Sequence, residues 1–152
     1  MQKHLKKIAR LDPVVGIKQK RVDEEAIILA NIRREKARME SELIAWQQRY
    51  LNGVGQLNTE RESAGRGMLS ALESAVDHAR ETLFALFQRL KEVDGVEHSQ
   101  VMQLNIVQRE LSAVEKLQEA HKIRMRKELS RHEQKGLDEI ALRRFLQSRV
   151  TQ

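Results

Sequence analysis

Five histidines, His4, His78, His98, His121 and His132, are the side chains in this chain best suited to bind a metal or relay a proton. They show no metal-ligand spacing, and no cysteine or glutamate completes a coordinating set. Two glycine pairs, Gly53-Val-Gly55 and Gly65-Arg-Gly67, could cradle a phosphate only within a strand–loop–helix unit ending in Lys-Ser/Thr, and neither has that setting. With no cysteine in the chain there is no thiolate nucleophile and no disulfide framework. No nucleophile, base and orienting group can be assembled, and no enclosed pocket is expected to keep water from one. The expectation is a protein that is not an enzyme, with no catalytic residues, no cofactor, no metal and no small-molecule substrate.

The elements carrying these residues are long helices. The 152 residues include one proline, 3% aromatic and 33% charged residues, the profile of extended helices and not of a thick-cored globule. Between Met68 and Val114, fourteen positions follow one another at alternating steps of three and four: Leu69, Leu72, Val76, Ala79, Leu83, Leu86, Leu90, Val93, Glu97, Gln100, Leu104, Val107, Leu111 and Val114. Only Glu97 and Gln100 are polar. This is a heptad seam, which keeps one narrow stripe facing a partner helix. The phase survives Asp94-Gly95, so one long helix carries that glycine at a cost of roughly 1 kcal/mol against alanine.

A patchier seam precedes it. Val15, Val22, Leu29, Lys36, Leu43, Tyr50 and Leu57 interleave with Lys18, Glu25, Ile32, Met39, Trp46 and Gly53. Asp12 can cap a helix whose first position is Pro13, so the first helix is expected over residues 12–57. Gly53, Gly55, Gly65 and Gly67, with Asn58, Thr59 and Ser63, place an apex turn at 58–67, and the second helix at 68–148. Two long helices joined by a short turn fold back antiparallel. With Leu57 facing Leu69, Val22 sits near Leu104 and Pro13 near Ala113. Beyond Val114 the second seam turns polar, through Gln118, His121, Met125, Glu128 and His132, with the histidines as polar spacers. Pairing is therefore expected to stop near 114, leaving about 35 residues that extend ~50 Å if helical. The expected fold is all-α: a single unit, an antiparallel two-helix coiled-coil hairpin with a protruding C-terminal helix. Phe84, Phe87 and Ile44 lie off the seams. They either thicken the coil locally against Trp46 or form a docking patch for a partner.

Charge is uneven within a net +6. Residues 1–21 hold seven Lys/Arg against Asp12, residues 118–152 hold nine against five acids, and the middle is mildly acidic. No apolar run approaches the ~18 residues that would span a bilayer. No secretory signal is evident at the N-terminus, and a cytoplasmic location is expected.

The segment Glu133-Gln134-Lys135, then Asp138-Glu139, then Arg143-Arg144, resembles the C-terminal signature of the FliJ family of the flagellar type III export apparatus. Leu11-Asp12-Pro13 before a charged helix looks like that family's start, and length and two-helix plan agree over nearly the whole chain. The resemblance implies a stalk similar to that of rotary ATP synthases, which inserts into the ring of the hexameric export ATPase, promotes its activity and links it to the cytoplasmic domain of the export gate. It also implies contact with export chaperones and a place at the inner-membrane base of the flagellum. On the matching positions, Gln134, Lys135, Asp138, Glu139, Arg143 and Arg144 would face the ATPase; a merely solvated helix face is the plain alternative. Three other readings compete. The equivalent stalk of a virulence injectisome shares the architecture. A nucleic-acid binder would use the basic ends, but acids interleave with the tail's positives and stacking aromatics are lacking. A long homodimer would pair the seams between chains, against the glycine cluster.

Overall fold

The computed structural model describes residues 2–63 and 66–150, all of them α-helical: α1, Gln2–Ser63, and α2, Arg66–Val150. The two helices pack against each other in a hairpin-like arrangement, and each contributes to two compact units, Glu24–Leu104 and Met1–Asp23 with Asn105–Gln152. α2 runs through Gly95 without interruption, as its unbroken seam requires.

Within Glu24–Leu104 the heptad residues are the ones removed from water. Leu29, Leu57, Val76, Ala79 and Leu86 are buried, and the neighbouring seam residues are half-buried. The polar seam residues meet across the helices. The Lys36 ammonium lies 2.7 Å from Asp94 and 3.3 Å from Glu97. The hydrogen bonds that Lys36 donates to Asp94 and then to Glu97 hold the lysine pKa above its ordinary value. The Gln100 amide donates to the Glu25 carbonyl at 3.1 Å and to the Glu25 carboxylate. An apolar neighbour in place of either member would strand the other, so these layers favour one register. Gly53 permits a close approach: a Cβ there would stand 3.1 Å from Cγ2 of Val76.

The second unit corrects the expected pairing boundary. α1 begins at Gln2, not at residue 12, and Pro13 lies inside it. His4, Ile8 and Leu11 continue the α1 seam upstream, all half-buried. Gln118 and His121, on the facing stretch of α2, are 8% and 6% exposed, and Val107 and Leu111 earlier in α2 are 2% and 9%. Gln118 donates to the Ile8 carbonyl at 3.4 Å and to the Asp12 carboxylate, so Asp12 serves a cross-helix bond and not a cap. Lys18 donates to Glu110 at 3.0 Å, and Nε2 of His4 lies 3.0 Å from the Glu128 carboxylate. Pairing thus continues to Glu128 instead of stopping near 114, because polar residues of α2 find partners on α1.

A proline in a helix interior removes one backbone hydrogen bond and crowds the carbonyl four residues back, a cost of about 3 kcal/mol. The exposed Pro13 is the single proline, and packing of Ile8 and Leu11 offsets that cost. Pro13→Ala is accordingly expected to raise stability by about 1–3 kcal/mol, read as an upward shift of the urea midpoint. An unchanged midpoint would mean the proline sits without strain.

Most of the span expected as the apex turn is helix. Residues 58–63 and 66–67 are helical, and only Ala64 and Gly65 of the 58–67 span lie outside the described residues. Thr59 donates its hydroxyl to the Gly55 carbonyl at 3.0 Å, and Ser63 to the Thr59 carbonyl at 3.4 Å. Small polar residues that often favour turns here satisfy their hydroxyls on the preceding helical turn.

Candidate partner-binding surface

The C-terminal stretch of α2 is helical because its residues are mostly good helix formers with one interruption, Gly136. Nothing lies within 4 Å of a Cβ built at Gly136. Gly136→Ala is therefore expected to strengthen this helix by about 1 kcal/mol, seen as slower amide exchange across 131–140; faster exchange would contradict it. From residue 131 to 150 every described residue except Gly136 is exposed.

All six residues singled out from the sequence lie on this surface. Helical spacing sets them in rows: Gln134 with Asp138, and Lys135, Glu139 and Arg143 in line beside them, while Arg144 points to another side. The Gln134 amide donates to Asp138 at 3.2 Å. A surface of alternating charge at one-turn intervals can exchange many weak ion pairs with a partner, each about 0.2–1 kcal/mol.

Sequence reasoning passed over the apolar residues between these charges. Leu137, Ile140, Leu142, Phe145, Leu146 and Val150 are all at least half exposed. The Arg149 guanidinium lies 5.1 Å from the Phe145 ring centroid, sheltering one ring face. The signal was available: apolar residues recur here after the seam has ended.

The second candidate surface is the off-seam patch. Ile44 is 62% exposed, Phe84 67% and Phe87 52%. Trp46 is occupied elsewhere: His78 meets it edge-on with ring centroids 5.6 Å apart, and the Arg49 guanidinium lies 4.6 Å above it. Both phenylalanines remain open to solvent, with the Lys91 ammonium 5.5 Å from the Phe87 ring.

Among the described residues no cluster of three or more His, Cys, Asp or Glu could hold a metal, and no helix is long and apolar enough to cross a membrane. The family model described as "Flagellar FliJ protein" matches residues 6–149. No curated protein and no solved structure matches the chain.

Proposed function

Because the chain belongs to the FliJ family of flagellar export-associated proteins, we propose that it is the stalk of the export apparatus, with its C-terminal helix inserted into the ring of the hexameric export ATPase. In that position it activates the ATPase and couples it to the cytoplasmic domain of the export gate. The observation that carries this reading is the exposed helix over residues 131–150, charged and apolar by turns, which carries the matching signature residues. A shaft in a ring must exchange neighbours repeatedly, and many weak contacts allow this where one strong contact would lock it. Gln134, Lys135, Asp138, Glu139, Arg143 and Arg144 make the ionic contacts, and Leu137, Ile140 and Phe145 add apolar area.

Ile44, Phe84 and Phe87 are a separate docking patch, suited to an export chaperone that presents an apolar groove. Such a protein works in the cytoplasm, held peripherally at the inner-membrane base of the flagellum. The flagellar description of the matched family favours this branch over an injectisome. Neither a catalytic role nor a nucleic-acid partner is part of this reading.

The test is co-purification with the cognate export ATPase, with ATP hydrolysis measured alongside. Arg143→Glu combined with Arg144→Glu, at exposed sites, is expected to leave the fold intact and weaken the complex roughly tenfold, about 1.4 kcal/mol. Undiminished binding and stimulation by the double variant would remove these arginines from the interface.

A further inference from the structure

Near the start of α1, two histidines face each other from opposite helices. The His4 and His121 rings lie 5.8 Å apart, centroid to centroid, at 38°. His121 is 6% exposed. The buried Nδ1 atom of each ring lacks a hydrogen-bond partner among the described residues. Nε2 of His4 is engaged by the Glu128 carboxylate at 3.0 Å. Lys7, on α1, and Arg124, on α2 itself, bring positive charge to bear on His121.

We propose that this contact is a proton-operated latch, which holds the first turns of α1 on α2 at neutral pH and releases residues 2–12 as the medium becomes acidic. A buried polar group without a partner is costly, and a buried charge without one is costlier. The Glu128 carboxylate lies against His4, whereas the groups that bring charge to bear on His121 among the described residues, Lys7, Arg124 and His4, are all basic. Protonation of His121 therefore sets like charges against each other in a poorly solvated place.

The direction follows. Burial first, then Lys7, Arg124 and His4, lowers the His121 pKa below its ordinary value. His121 therefore binds the proton more readily once residues 2–12 are released than while they are docked. The His121 proton therefore weakens docking as the pH falls below about 6.5, by up to tenfold per pH unit. Helix ends can open locally without global unfolding. Release frees His121, Met125 and Glu128 and so lengthens the unpaired part of α2, whether or not the tail meets an ATPase.

Hydrogen–deuterium exchange of the full chain at pH 7.5 and 5.5, with times scaled for the intrinsic exchange rate, tests this. Protection of residues 3–12 is expected to fall at the lower pH, by up to about tenfold, while residues 76–90 stay unchanged. His121→Leu, which removes the proton site and keeps an apolar filler, is expected to abolish the difference. An NMR titration of the wild-type ring, expected below the ordinary histidine range, needs no variant. Equal protection of residues 3–12 at both pH values, a dependence that survives in His121→Leu, or an ordinary His121 titration would each overturn the latch.

Discussion

Val107→Asp is expected to unfold the protein at room temperature, with loss of most of its helical circular dichroism. Val107 is 2% exposed, deeper than any other described apolar residue of the seams. An aspartate there would place a charge with no designated cation among apolar side chains, a penalty of several kcal/mol even after relaxation. A two-helix structure has no second layer to absorb the loss, and total stabilities are only about 5–15 kcal/mol. Leu86→Asp, at a site 6% exposed in the other unit, is expected to behave alike. The control is Phe84→Asp, 67% exposed, which should stay within about 0.5 kcal/mol of wild type. Full helicity in both Val107→Asp and Leu86→Asp would mean that the seams do not hold the helices together.

Truncation after Ser130 has the second large effect, on function and not on folding. The deleted residues 131–150 are exposed apart from Gly136, so the packed pairs from His4–Glu128 to Arg61–Glu73 remain. The thermal midpoint is expected to hold, with stability within about 0.5 kcal/mol, while the helical signal falls in proportion to the residues removed. Under the proposed function, stimulation of the export ATPase disappears altogether. A truncated chain that still stimulates fully would place the ATPase contact elsewhere on the protein.

The two effects, one on folding and one on function, separate because the residues are so differently placed. Seam residues were recognisable because heptad spacing is a local property: it needs only the order of residues and the pitch of a helix. The six tail residues were recognised through a resemblance, and periodicity alone would not have distinguished them from any solvated face. The exposed leucines and Phe145 beside them were overlooked because an apolar residue in a helix reads as core until it is known that no helix lies opposite.

Periodicity in the sequence was enough to determine two long helices and the passage of α2 through Gly95, and the glycine cluster between the seams gave their hairpin-like pairing. Where α1 begins, how far it runs toward Ser63 and which polar groups meet were decided only in the tertiary structure. Asp12-Pro13 is a sound local start signal, and the Gly-, Asn- and Thr-rich stretch before Arg66 a sound local stop. Such signals are worth about 1–3 kcal/mol each, and burial of Ile8 and Leu11 along a second helix outweighs them. The polar residues of α2 beyond Val114 ended the apolar stripe on paper; in three dimensions Asp12, His4 and the Ile8 carbonyl await them. A pattern of hydrophobicity records which faces avoid water, whereas complementarity between two polar groups far apart in sequence exists only once the chain has brought them together.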